Sequence, residues 1–211
     1  MLPRFPEQLR PVDATMLHEH RRLVPTDSCD FLWEYVPRQP ANWTAGNQFI
    51  RDLKLTGSQL ARLPARLRYK RAAIAHAGRA LRRLLPRDWL TDATFVPMPC
   101  SKARDGRDHD DRMLRVLDCA LRDRGADIRE LLQMQDSLRA DHESRVRCSA
   151  MRLRRALCIA SPHAPRPLII LVDDVLNSGK HFRVASRMLT ERWPDRQVRG
   201  LFLARCVRER R

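Results

Sequence analysis

Lysine is almost absent from this chain of 211 residues: of 41 Lys+Arg, only Lys54, Lys70, Lys102 and Lys180 are lysines. Gly numbers 7, Pro 14 and aromatics 6%, which excludes collagen-like and low-complexity classes, since those need Gly or Pro in bulk. No apolar run approaches the roughly 20 residues of a membrane-spanning helix. The longest, Leu168-Ile169-Ile170-Leu171-Val172, is closed by Asp173-Asp174. Residues 1–7 carry no apolar segment of the secretory type. The cysteines at 29, 100, 119, 148, 158 and 206 show no CxxC or CxxH spacing, which argues against a zinc site and leaves reduced thiols. A cytoplasmic protein without membrane contact is the expectation.

What is present is a 43% hydrophobic chain, long enough for one generous domain with a real core. Its formal net charge of +16 comes from arginine. That balance favours polyanions, either nucleic acid (DNA or RNA) or phosphorylated ligands, although GC-rich coding and ordinary helix faces also produce arginine.

Pro3, Pro6, Pro11, Pro25 and Pro37 break up the first segment, so residues 1–59 read as an extended arm with a short helix near Thr15–Arg22. Alternation of Phe49, Arg51 and Leu53 suggests a strand across Asn47–Leu55. Trp33, Tyr35 and Trp43 either pack the arm down or cover a pocket as a hood, and packing is the favoured reading. His18 and His20, two apart, make poor joint ligands on a helix.

Residues 60–211 read as an α/β domain with a mostly parallel open sheet flanked by helices. Leu67, Ile74, Ala77, Leu81 and Leu85 recur at helical steps until Pro86, and Thr94–Pro99 is a strand entering a turn. Met113, Val116, Leu117, Ala120 and Leu121 mark a second helix, with Asp108, Asp110 and Asp111 crowding its start and Gly125 closing it. A strand is expected within Ile128–Met134, followed by a polar, arginine-bearing and partly mobile connection over Gln135–Leu153. Ala156–Ala160 is another strand, Leu168–Val172 a central one buried on both faces, and Val198–Ala204 the last.

The segment Leu168 to His181 carries the chemistry. A buried strand delivers Asp173 and Asp174, a loop of Asn177, Ser178 and Gly179 follows, and Lys180 and His181 open a helix. Ligands of open α/β sheets bind beyond the carboxyl ends of strands, and a helix N-terminus offers free N–H groups to phosphate. Adjacent carboxylates there can take sugar hydroxyls or a hydrated magnesium ion. The pattern therefore suits a sugar phosphate, against the alternative of a polar strand end and an ordinary capped turn.

These residues resemble the type I phosphoribosyltransferases, and within them the competence protein F-like group. The resemblance covers about residues 60–206, and only the motif at 168–181 is specific. It implies that Asp173 and Asp174 hold the ribose of 5-phosphoribosyl 1-diphosphate and that Asn177, Ser178, Gly179, Lys180 and His181 hold its 5-phosphate. Phe95–Lys102 resembles the loop that holds the diphosphate, through Cys100, Ser101 and Lys102, and Leu67–Lys70 resembles the group's upstream helix. Ser144–Leu153 falls where a flexible loop is usual, so Arg145 or Arg147 would close over the ligand. Mg2+ is the implied cofactor, with Asp173 and Asp174 as its ligands, and Asp173, Asp174, Lys102 and Arg145 are the implied catalytic set.

Asn177 stands where Thr is usual, and Lys180-His181 replaces smaller residues. Anion binding is compatible with both changes. Besides transfer of phosphoribose to a base, the resemblance admits a nucleotide-sensing regulator of weak catalysis. It also admits a nucleic-acid-associated effector of DNA-uptake or retron-like antiviral type. Cys100 finds no histidine partner by spacing, His109 and His142 read as surface residues, and a homo-oligomer is left open.

Overall fold

The computed structural model describes residues 2–40, 43–106, 108–135 and 149–207. In chain order the first elements are β1 (Arg10–Pro11), β2 (Cys29–Tyr35), α1 (Ala45–Leu53), α2 (Gly57–Arg62), α3 (Leu67–Leu84) and α4 (Arg87–Asp92). Next come β3 (Ala93–Pro97), α5 (Arg112–Leu121), β4 (Asp127–Ile128), β5 (Leu132–Met134) and α6 (Ala150–Ala156). The chain continues through β6 (Leu157–Ile159), β7 (Leu168–Leu176), α7 (Lys180–Arg192) and β8 (Gln197–Cys206).

Six strands form one sheet in the order β1-β2-β8-β7-β3-β4, parallel except for β1, and β5 pairs with β6 in a separate antiparallel ladder. The α/β class with a mostly parallel sheet is thus what the molecule has. Along β7 the apolar side chains alternate between two cores. Ile170 and Val172 face the layer of α1, α3 and α5, whereas Ile169 and Leu171 face α6, α7 and the β5–β6 ladder. Gly78 lets α3 and α5 come close, because a Cβ there would stand 2.6 Å from the Cys119 sulfur. Among the described residues no helix is long and apolar enough to cross a membrane.

The first third differs from its expected form. Residues 29–35 are not an extended arm but a strand inside the sheet, pairing with β8 from Cys29↔Gly200 to Tyr35↔Cys206. Their core-facing residues Phe31, Leu32 and Trp33 are buried, and such burial outweighs the local proline content. Buried ion pairs pin this segment down. Asp30 takes a bidentate bond from Arg199 (2.6 and 3.1 Å), Asp27 pairs with Arg183 at 2.6 Å, and Arg205 joins Glu19 and Glu34. Part of the arginine excess is therefore structural.

Residues 47–53 are helical rather than extended. Phe49, Ile50 and Leu53 also fit a helical face, and the Thr44 hydroxyl caps that helix by accepting from the Asn47 N–H at 3.0 Å. The expected helix near Thr15–Arg22 is reduced to a 3-10 turn at Ala14–Met16. The expected strand over Ile128–Met134 is two strands in two sheets, divided at residues 129–131. Trp33 packs as anticipated, buried against Phe49 and His76 with its indole N–H on the Arg4 carbonyl, whereas Trp43 is exposed.

Candidate functional site

From β3 the chain runs outward to β4, then returns to β7 and proceeds the other way to β8 and its neighbour β2. The strand order therefore reverses between β3 and β7, which places a crevice at their carboxyl ends. Both segments singled out in the sequence leave from there. The loop after β3 carries Cys100, Ser101 and Lys102, and the end of β7 leads into 177–181. A backbone bond from Met98 N–H to the Val172 carbonyl (2.9 Å) holds the two exits level.

β7 does not stop at Val172 but continues to Leu176. In a strand, successive side chains point to opposite faces, and the two carboxylates accordingly meet different partners. Asp174, 4% exposed, turns into the helical layer. One of its oxygens meets Lys54 at 2.9 Å, and the other accepts from Arg112 Nε at 2.8 Å and from a terminal guanidinium nitrogen at 2.5 Å. Arg112 also bonds Asp110 at 2.8 Å, and Asp110 in turn takes Lys70 at 2.7 Å. Asp174 is thus one end of a buried chain of alternating charges, and Lys54 and Arg112 hold its carboxyl well below the usual carboxylate range.

Asp173 faces the other side. One of its oxygens accepts from the Asp174 N–H at 2.8 Å, and the other lies 4.0 Å from His181 Nδ1 at the start of α7. Burial, together with the neighbouring Asp174 charge, pushes its carboxyl upward. The joint site expected of Asp173 and Asp174 is therefore divided. Asp174 is committed to protein cations, and Asp173 alone fronts the loop of 177–181.

That loop rests on the N-terminal segment. The buried His20 donates from Nδ1 to the Asn177 carbonyl, and the Arg22 N–H donates to the Ser178 carbonyl at 2.8 Å. Gly179 sits at φ +81° as the N-cap of α7, where any side chain would be strained and a Cβ would meet Leu23 at 2.7 Å. The N-cap glycine has no side chain with which to cap α7. The Lys180 N–H lies 3.4 Å from the Ser178 hydroxyl, and the positive end of a 13-residue helix points at the loop.

The loop after β3 borders a shallow cavity of about 30 Å³, with Cys100, Lys102, Arg104, His109 and Glu130 in its wall and no residue of 177–181. Spacing alone gave Cys100 no histidine, but the fold supplies one: His109 Nδ1 lies 3.6 Å from the Cys100 sulfur, which also accepts from the Asp110 N–H at 3.3 Å. Arg145, Arg147, His142 and Cys148 lie outside the described residues.

Magnesium held by both carboxylates does not fit this arrangement. Asp174 already has cations on both oxygens, and no group of three or more His, Cys, Asp or Glu able to hold a metal occurs among the described residues. Of the residues that matter here, Lys54 and Arg112 carried no sequence signal, Lys70 was visible only within the segment resembling an upstream helix, and His20 only as one of a histidine pair. Asp110 was visible only as a helix-start acid, and no local pattern reports its partner Lys70, 40 positions away. Neither the known protein families nor the curated proteins contain a match to this chain.

Proposed function

We propose that the chain binds a phosphorylated sugar or nucleotide, of which 5-phosphoribosyl 1-diphosphate is the reference ligand, in the crevice between β3 and β7. The observation that supports this most is the start of α7, with Gly179 in the left-handed conformation as its N-cap, beside the carboxylate of Asp173 at a reversal of strand order. Ser178, Lys180 and the first N–H groups of α7 bind the terminal phosphate. Asp173 accepts from sugar hydroxyls, and His181 orients that carboxylate. Lys102 and Ser101, at the end of the neighbouring strand, face the leaving-group end of the ligand.

Sensing fits the geometry better than rapid transfer, because Asp174 is spent on Lys54 and Arg112 and leaves one acid where the phosphoribosyltransferase pattern has two. A transferase would break the bond from sugar C1 to diphosphate as a nucleophile attacks C1, and Lys102 would offset the charge developing on the departing oxygen.

Calorimetric titration of the full chain with 5-phosphoribosyl 1-diphosphate, in buffer with and without Mg2+, tests the reading. We expect saturable binding that is lost in Asp173→Asn. A diphosphate-release assay with a panel of bases then separates transfer from sensing. Absence of binding at millimolar ligand, or full affinity in Asp173→Asn, would sink the site assignment.

A further inference from the structure

Between Asp52 and Asp88 the chain carries ten lysines and arginines and no Asp or Glu. Most of this stretch is α3, whose inner face is buried through Ala73, Ile74, Ala77, Ala80 and Leu81. Its outer face presents Arg68, Arg71, Arg79, Arg82 and Arg83, all exposed. At 100° per residue these five fall within an arc of about 120°, and from Arg68 to Arg83 they span roughly 22 Å. Ala72 and Ala75 lie inside the same arc and leave its middle low, so an extended partner can approach the helix along its length.

Among the described residues, internal neutralisation of this face is limited to one arginine. Arg82 forms a bidentate pair with Asp123 at 2.5 and 3.0 Å. Arg68 lies over the exposed ring of Tyr69, with its centre 4.8 Å from the ring centroid, and the guanidinium remains cationic there. Arg71, Arg79 and Arg83 meet no carboxylate at ion-pair distance among the described residues. The contrast is with Asp27, Asp30 and Asp174, each of which takes its own arginine. This face of α3 is therefore a run of positive charge that the described acids leave largely uncompensated.

We propose that the outer face of α3 is a nucleic-acid-binding surface that grips the phosphodiester backbone without reading sequence. Guanidinium groups bind phosphate oxygens bidentately, and a 22 Å stripe matches about six phosphates of one strand at roughly 3.4 Å each. The exposed Tyr69 adds a ring for stacking at one end of the stripe. An anionic membrane fits less well. A helix that lies in a bilayer surface inserts an apolar face, and the apolar face of α3 is occupied by the protein core. Lys70, which belongs to the charge chain leading to Asp174, lies on the opposite, buried face of α3 and takes no part in the stripe.

The test is fluorescence anisotropy of the full chain with labelled duplex DNA and with single-stranded RNA, across roughly 50 to 200 mM salt. A triple variant, Arg71→Gln, Arg79→Gln and Arg83→Gln, is compared with Arg152→Gln, Arg155→Gln and Arg187→Gln, which remove equal charge from the helices of the opposite layer. We expect the α3 variant to weaken binding at least about tenfold at 0.1 M salt and to flatten the logarithmic salt slope by about 2 to 3, with unchanged circular dichroism. The opposite-layer variant keeps most of its affinity, and the two probes show which nucleic acid is preferred. Equal weakening by both variants would refute a localised surface. Binding to phosphatidylserine vesicles with no binding to either oligonucleotide would replace the nucleic acid with a lipid surface.

Discussion

Asp174→Asn and Asp173→Asn, although neighbours in sequence, should act in opposite ways. Asp174 is 4% exposed and neutralises Arg112, whose side chain is only 16% exposed, as well as Lys54. An amide keeps one acceptor oxygen but turns an NH2 group towards a cation. Breaking a buried ion pair costs about 3 to 5 kcal/mol. The lower end applies, because Arg112 retains Asp110 and Lys54, 42% exposed, can turn to water. For a chain of this length, about 3 kcal/mol lowers Tm by about 6 to 12 °C.

Asp173→Asn removes a carboxyl whose folded value is raised. Such a group stabilises most below its unfolded value of about 4 and loses that contribution as pH rises through its folded value. The Asn variant escapes the loss, so its Tm should equal or exceed that of the parent at pH about 8, and the gap should close towards pH about 4. It should nevertheless lose ligand binding. Differential scanning calorimetry of both variants over this range is the assay. If Asp173→Asn is as destabilising as Asp174→Asn, or if Asp174→Asn melts with the parent, the division of the pair across the sheet is wrong.

Three further outcomes follow from local geometry. His76, 6% exposed and packed against Phe5 and Trp33, is held below its ordinary value mainly by burial. Its contribution to stability is complete above about pH 6.5 and is lost as pH falls, so the acid-side decline in Tm should be shallower in His76→Phe, and parallel profiles would refute this. Gly179→Ala forces a side chain into φ +81° and onto Leu23. It should cost about 1 to 3 kcal/mol and weaken ligand binding, as read by denaturant unfolding and titration; a neutral effect on both would contradict the placement. Mass-spectrometric alkylation should find Cys100 slowed several-fold by His109→Ala near neutral pH while the exposed Cys119 is unaffected. Equal rates in parent and variant would deny His109 any influence on the thiol.

Periodicity and composition alone determined the class of the protein and where its most informative motif begins. The unbroken, β-branched apolar run of 168–172 reads as a strand covered on both faces, and Asn177-Ser178-Gly179 as a turn into a helix, because these follow from side-chain burial and backbone sterics within a few residues. The same local logic misread 47–53, where an alternating pattern and a helical face share Phe49 and Leu53, and it took 29–35 for part of an arm, since a strand with prolines nearby shows its worth only against β8. What the acidic pair does was decided by tertiary structure. Whether β7 ends at Val172 or at Leu176 fixes whether Asp173 and Asp174 act together or are sent to opposite faces. The cations that claim Asp174, Lys54 in the turn after α1 and Arg112 at the start of α5, arrive from 120 and 62 positions away, respectively. Coulomb attraction acts through space in a low-dielectric interior and leaves no trace in sequence spacing.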